Sequence, residues 1–200
     1  MKSVLLSIQP KWCDLIASGK KTVEIRKTRP KIETPFKCYI YETKGITDTP
    51  FMDEDGHIDF HGRGQVIGEF ICDEIMRHSL FDDCAKILKQ SCLTTKEFYS
   101  YMGYPLVNPY QNLKEARKKF ELYSWHISDL VIYNEPLSLD RLVVEGDCDC
   151  RNCGKCSWFI RGNGYDFEGN CDLAYEKKDL RPLFRPPQSW CYVEGLEDEK

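Results

Sequence analysis

The alternation of apolar and polar side chains predicts a strand, a short helix and a second strand at the amino end. Residues 3–8 are predicted as the first strand, and Pro10 suits the first turn of a helix because its missing N–H would have no partner there. Gly19 suits the position after that helix ends. In the strand that follows, Glu24 and Arg26 share the polar face. A carboxylate and a guanidinium are therefore expected side by side.

The same patterns predict four further strands and three short helices. The strands cover residues 36–43, 65–75, 122–133 and 189–194, and the helices cover residues 82–90, 94–102 and 112–120. Thr94 and Glu97 form a capping-box pattern at the start of the second helix. Residues 45–64 are expected to form a long hairpin loop. Because the five or six strands have irregular spacing, we predict an α+β fold, a small mixed or antiparallel β-barrel with peripheral helices.

The length of 200 residues favours one domain. We predict a single domain over residues 1–194, with a helical insertion at 76–121, a cysteine-rich loop insertion at 146–172 and an acidic tail at 195–200. No apolar run approaches the roughly 20 residues of a membrane helix, so no membrane partner is expected. The apolar run near the amino end is too short for a signal-peptide core, and the expected location is the cytoplasm.

The charge of the chain is unevenly distributed. The net charge is −4, but residues 1–44 carry ten Lys and Arg against four Asp and Glu, whereas the remainder carries 18 against 28. A protein that coats nucleic acid nonspecifically is usually basic throughout. The pattern therefore indicates at most a local basic site, suited to one phosphate or one short strand, and the alternative is a solvated charged face.

The first group of candidate residues is Lys21, Glu24 and Arg26, with Ser7 and Lys11 nearby in sequence. Convergent Lys and Arg side chains suit an anionic ligand such as phosphate. A Lys beside a Glu can also act as a general base if burial lowers the pKa of the Lys. The alternative is an exposed ion pair that contributes well under about 1 kcal/mol.

Aromatic and amide side chains supply further candidates for base recognition. The indoles available for stacking are Trp12, Trp125 and Trp190. Two prolines stiffen the chain before Gln188, so an amide and an indole follow each other at a defined place, although the segment also reads as a rigid lead into the last strand. His126 and Ser128 share one face of a predicted strand and can line a pocket, but a lone strand histidine is more often structural.

Five of the eleven cysteines cluster near the carboxyl end, at Cys148, Cys150, Cys153, Cys156 and Cys171. Four thiolates in a tetrahedron are what a structural zinc ion needs, and C-x2-C spacing suits that geometry. We therefore predict that four of these five bind zinc. Free thiols in a loop and a redox disulfide pair remain alternatives. The other six cysteines read as small core residues.

The segment LLSIQPKWCDLIASGKKTVEIRK (residues 5–27) resembles the opening of ASCH-domain proteins, a branch of the PUA-like barrels. The shared pattern is a strand ending S-I-x-P, a short helix and G-x-K-x-x-E-x-R. WHISDLVIY (125–133) and RPPQSWCYV (185–193) also resemble small microbial and phage ASCH proteins, some of which carry a Cys-rich insert. The resemblance implies a PUA-like β-barrel whose cleft binds RNA, a nucleotide or a modified base.

Three functional hypotheses follow. In the first, the cleft binds RNA or a nucleotide through Ser7, Lys11, Trp12, Lys21, Glu24, Arg26, Ser128, Gln188 and Trp190. In the second, the protein is a small amidohydrolase of acylated cytidine-type nucleosides, with Lys21 as base and Glu24 as its partner. The resemblance implies this because one ASCH branch hydrolyses acylated cytidines with a Lys, a Thr and a Glu. Lys21 stands at the position of that Lys, whereas Glu24 stands at the position of that Thr. In the third, the protein is an interaction adaptor that uses the cysteine-rich loop.

Overall fold

The computed structural model describes residues 2–52, 58–79, 82–103, 120–145 and 180–194. The helices in this part of the chain are α1 (Pro10–Ala17), α2 (Ala85–Ser91) and α3 (Thr95–Met102), with a 3-10 helix at Leu139–Arg141. The strands are β1 (Lys2–Ile8), β2 (Val23–Arg26), β3 (Phe36–Glu42), β4 (Ile46–Met52), β5 (Ile58–His61), β6 (Val66–Cys72), β7 (Ile75–Ser79), β8 (Glu121–His126), β9 (Ser128–Leu137), β10 (Val143–Glu145), β11 (Leu180–Pro182) and β12 (Trp190–Glu194). The predicted helix at 112–120, the cysteine-rich insertion and the acidic tail lie outside the described residues.

A large sheet forms the centre of the molecule, with the strand order β11-β10-β12-β1-β3-β6-β9. β1 is parallel to β3 and antiparallel to β12. Residues 3–8 of β1 are all buried, which is the pattern of a strand covered on both faces. The amino-terminal and carboxyl-terminal strands are therefore direct neighbours, and residues far apart in sequence meet at their ends.

The predicted barrel is wrong in one respect, because the sheet is open. Its order begins at β11 and ends at β9, and β2, β8 and β7 form a separate three-stranded sheet. The predicted strand at 122–133 is the reason for the difference. It divides into β8 and β9, which belong to different sheets, and Asp129 just after the division has a left-handed backbone with φ 46°. The mixed α+β class is confirmed.

Two apolar clusters join these layers and determine where the helices lie. Trp125 of β8 is fully buried against the large sheet and makes an edge-to-face contact with Phe36 at 5.8 Å between ring centroids. On the other side of the small sheet, Ile25 of β2 packs with Ile87 of α2 and Phe98 of α3. The two helices therefore cover β2, next to the polar residues that the sequence singled out.

Local signals define the ends of these elements as expected. Pro10 is the first residue of α1, and Gly19 after that helix has φ 70°, a conformation that costs glycine little. The capping box at Thr94 and Glu97 is present at the start of α3. Of the six cysteines expected in the core, four are buried, and Cys92 and Cys191 are partly exposed.

Candidate functional site

A cleft of about 850 Å³ opens between the end of β1, the start of α1, strand β2, helix α3 and the segment at residues 186–188. Its floor contains three charged side chains that are almost inaccessible to solvent. The exposed fraction is 3% for Lys21, 7% for Glu24 and 6% for Arg26. Buried charges need partners because water no longer solvates them, and the geometry around these three residues supplies those partners.

The carboxylate of Glu24 lies between the two cations. Lys21 Nζ is 3.2 Å from Glu24 Oε2, and Arg26 Nε is 3.2 Å from Glu24 Oε1. Arg26 Nε is buried and makes no hydrogen bond of good geometry, so its contact with Glu24 is electrostatic. We refer to Lys21, Glu24 and Arg26 as the buried triad. The sequence pattern had placed the last two on one polar face, and the structure shows that this face is buried.

Lys21 also connects the triad to the helical segment. Its ammonium donates a hydrogen bond of 2.8 Å to the Ser91 carbonyl at the end of α2 and lies 5.1 Å from the centre of the Trp12 ring. A cation is favoured at a helix carboxyl end, where the peptide carbonyls concentrate negative charge. Lys21 therefore stabilises the docking of α2 on β2 as well as lining the cleft.

Arg26 connects the triad to both ends of the chain. Its Nη2 donates to the Ser7 carbonyl at 2.8 Å, and Nη1 makes a longer contact of 3.4 Å with Ser189 Oγ. The hydroxyl of Ser7 donates to the Pro187 carbonyl at 2.6 Å. The amino-terminal strand and the proline-rich segment before β12 are thus held against the same cleft, as the sequence analysis expected.

Helix α3 forms a wall of the cleft that sequence reasoning missed. Glu97, Ser100 and Tyr101 line it, and Tyr101 remains 37% exposed. Burial raises the pKa of Tyr101, and the charge of Arg26 opposes that rise. One signal was present: Phe98 and Met102 define the buried side of α3, which leaves Glu97 and Tyr101, four residues apart, on another face.

Six of the nine predicted binding residues line the cleft: Ser7, Trp12, Lys21, Glu24, Arg26 and Gln188. Lys11 stands beside it, with its Nζ 3.6 Å from Glu97 Oε1 and 4.5 Å from the Trp12 ring centre. Two cations therefore approach the Trp12 ring, which reduces the area available for stacking.

Ser128 and Trp190 do not line the cleft. The Ser128 hydroxyl donates to the Ile71 carbonyl at 2.9 Å within the β6–β9 pairing. The Trp190 ring packs 6.0 Å from Trp125, and its Nε1 donates to Thr28 Oγ1 at 2.9 Å. Both predictions relied on local pattern alone, and in the fold these side chains serve strand pairing and the core.

The predicted zinc site lies outside the described residues, because it falls on Cys148, Cys150, Cys153, Cys156 and Cys171. The zinc site therefore stays a prediction. The adaptor hypothesis depends on the same loop and also stays a prediction. In the described ranges no group of three or more His, Cys, Asp or Glu side chains is placed to hold a metal ion. No helix within those ranges is both long and apolar enough to cross a membrane.

The fold is of the α+β class and carries a polar, partly desolvated cleft. Residues 6–117 match the family model of the ASCH domain. Since the match covers more than half of the 200 residues, the chain belongs to the ASCH domain family. The resemblance drawn from the sequence is therefore confirmed. None of the curated proteins matches the chain.

Solved structures support the same fold. The crystal structure of ASCH from Zymomonas mobilis aligns with a TM-score of 0.53 at 17% identity, covering 96% of this chain and 87% of that chain. A tyrosine-to-phenylalanine mutant of that protein gives 0.54 at 17% identity, with 97% and 91% covered. A serine-to-alanine mutant gives 0.53 at 16% identity, with 96% and 88% covered. At these identities the likeness concerns the fold alone.

Proposed function

We propose that the cleft binds RNA, a nucleotide or a modified nucleobase. The observation that carries the proposal is the buried triad on the floor of an open cleft of about 850 Å³. Ligand sites of small molecules typically measure roughly 300–1,000 Å³ and combine apolar walls with a few well-placed polar groups. Desolvated charges at such a place are typical of functional sites, because the fold core alone does not require them.

The lining supplies the groups that a nucleotide needs. Arg26 and Lys21 provide positive charge, and a guanidinium matches the geometry of a phosphate. Tyr101 presents a partly exposed ring on which a base can stack, and Gln188 presents an exposed amide whose donor and acceptor suit a base edge. One cation lies over the Tyr101 ring, Lys27 Nζ at 5.2 Å from its centre, whereas two lie over Trp12, so we assign the stacking role to Tyr101.

Exposed rim residues provide a test that does not disturb the buried triad. Binding of a labelled RNA hexamer, followed by fluorescence anisotropy, should weaken about tenfold in Tyr101→Ala, the usual loss for one stacked base. In Gln188→Ala it should weaken about three- to tenfold. Lys86→Ala is the matched control, because Lys86 is an exposed cation on α2 that does not line the cleft.

Salt provides a second readout, since contacts with phosphate release counterions and weaken as ionic strength rises. A hexamer affinity that is independent of salt, or equal in Tyr101→Ala, Gln188→Ala and Lys86→Ala, would contradict the proposal. So would the absence of binding by RNA, nucleotides and nucleosides to the native protein.

A second candidate function is hydrolysis of an amide on an acylated cytidine-type nucleoside. The observation that favours it is the 3.2 Å contact of Lys21 and Glu24 inside the cleft. The two polar partners of Lys21, the Ser91 carbonyl and the Glu24 carboxylate, both accept hydrogen bonds, so the geometry suits a protonated ammonium that donates. A general base would have to be unprotonated, and for this reason binding remains the first proposal. Turnover of an acylated cytidine that is lost in Lys21→Arg, a variant that keeps the charge, would support hydrolysis; a panel of acylated nucleosides without turnover would exclude it.

A further inference from the structure

The floor of the cleft carries a net positive charge. Lys21 and Arg26 each contribute one positive charge and Glu24 one negative charge, so the buried triad sums to +1. Burial makes this sum important, because uncompensated charge is costly where water is excluded. A ligand that adds one negative charge leaves the floor neutral, whereas a ligand that adds two leaves it with an excess of −1.

Among the residues that the structure describes, the surrounding charges do not alter this sum. Lys11 Nζ lies 3.6 Å from Glu97 Oε1, so this cation and this anion at the α3 wall offset each other. Behind the cleft, the buried Glu42 carboxylate accepts from Arg63 Nη1 at 2.8 Å, which is a second neutral pair. Lys27 lines the rim, but it is exposed and its charge is screened by water and salt.

We infer that the cleft selects a singly charged phosphodiester, the internal phosphate of an RNA strand, over the terminal phosphate of a free nucleotide. The inference rests on the proposed function and names its ligand class. A diester carries one negative charge, whereas a phosphate monoester carries about −1.5 to −2 at pH 7 because its second pKa is about 6. Only the diester balances the buried triad.

Donors for such a group remain on Arg26. Its Nη2 is committed to the Ser7 carbonyl at 2.8 Å, whereas Nη1 makes a longer contact of 3.4 Å with Ser189 Oγ. Tyr101 on the α3 wall is close enough to Arg26 for a hydrogen bond, so the two donors are neighbours. A phosphate oxygen beside them would receive hydrogen bonds from a charged and a neutral donor.

A phosphodiester also needs room for the chain to leave the cleft. A second groove of about 430 Å³ shares Pro187 with the cleft and contains the exposed Arg185. Lys2 in this groove lies opposite Glu194 in the β1–β12 register, and Arg185 is exposed there. The next phosphate of a strand that passes over Pro187 would meet a positive charge there.

A pair of probes that differ only in charge tests the inference. A nucleoside 5′-monophosphate and its methyl ester carry the same base, sugar and phosphorus, but the ester is a diester with one negative charge. Calorimetric titration of the native protein at pH 7.5, for each of the four bases, should show the monophosphate binding at least about tenfold more weakly, the scale set by one uncompensated buried charge. At pH 5.5, where the monophosphate is mostly singly charged, the gap should narrow.

The variant Glu24→Gln reverses the expected preference. It keeps the shape of the side chain and raises the charge of the floor from +1 to +2, so the monophosphate at pH 7.5 should bind at least as tightly as its methyl ester. If this variant fails to fold, the pH dependence of the native protein decides the matter alone.

The outcomes separate this inference from the proposed function. A monophosphate that binds the native protein as tightly as its methyl ester at pH 7.5 overturns the inference and leaves nucleotide binding intact. If neither probe nor an RNA strand binds, the proposed function itself fails. For the groove, a trinucleotide with two internal phosphates should gain affinity over the methyl ester. Arg185→Ala should remove part of that gain while Lys86→Ala does not, and equal loss in both variants would exclude the groove from the binding path.

Discussion

Replacement of Lys21 by methionine tests whether the buried triad contributes to folding as well as to binding. Methionine retains most of the aliphatic stem, so the main loss is the ammonium, with its 3.2 Å contact to Glu24 and its 2.8 Å hydrogen bond to the Ser91 carbonyl. Breaking a buried ion pair costs about 3–5 kcal/mol, because the remaining charge is left without compensation. Arg26 still faces Glu24 at 3.2 Å, so we expect the lower end of that range, about 3 kcal/mol.

Urea denaturation followed by tryptophan fluorescence measures this loss. Domains of ordinary stability unfold with about 5–15 kcal/mol, so the midpoint should shift markedly at unchanged slope. Lys20→Met is the matched control, because the neighbouring Lys20 side chain is exposed and such changes usually stay within about 0.5 kcal/mol. If Lys21→Met costs less than about 1 kcal/mol, the triad does not stabilise the docking of α2 and contributes nothing substantial to folding.

Three further predictions concern other parts of the molecule. Burial lowers the pKa of His78, whose Nε2 lies 2.7 Å from Ser124 Oγ, so the unfolded chain binds the proton more readily than the folded one. The free energy of unfolding should therefore fall as the pH drops below about 6.5 and level off below the folded-state pKa. The difference in this free energy between pH 7.5 and 5.5 should be smaller in His78→Gln than in the native protein, and an equal difference in the two proteins would contradict the assignment. Ser7→Ala removes the 2.6 Å hydrogen bond to the Pro187 carbonyl and should cost about 1 kcal/mol and weaken hexamer binding, whereas unchanged affinity would show that the proline-rich segment does not shape the site. The cysteine cluster at residues 148–171 should hold one zinc ion, measured by metal analysis of the purified protein; freely titratable thiols without metal would reject the site.

The amino-terminal part of the fold was predictable because its signals are local. Pro10, Gly19 and the alternation that places Glu24 beside Arg26 each act within a few residues, and all three predictions agree with the structure. The burial of Glu24 was not predictable from the same pattern. That face meets distant parts of the chain, since Arg26 reaches the Ser7 carbonyl of β1 and Ser189 Oγ, and alternation along one strand carries no information on what covers its polar face.

The positions of Trp190 and Tyr101 differ from what local pattern suggests, and for the same physical reason. A large aromatic side chain is equally suited to a core and to a stacking surface, and only the tertiary packing decides between them. Trp190 is held by Trp125 and Thr28, whereas Tyr101 is left partly exposed on a helix that the sequence analysis had treated as a peripheral insertion. Ser128 illustrates the same limit, because its hydroxyl is used within the sheet.

Ser7 explains how distant parts of the chain produce one cleft. Its N–H donates to the Ser189 carbonyl at 3.0 Å, its hydroxyl donates to the Pro187 carbonyl at 2.6 Å, and its own carbonyl accepts from Arg26 Nη2 at 2.8 Å. A single residue at the end of the central strand thus uses both backbone groups and its side chain to join β2 and the proline-rich segment. Because these contacts are made within the protein itself, they hold the walls of the cleft in place, and such preorganisation favours affinity from a small number of direct contacts.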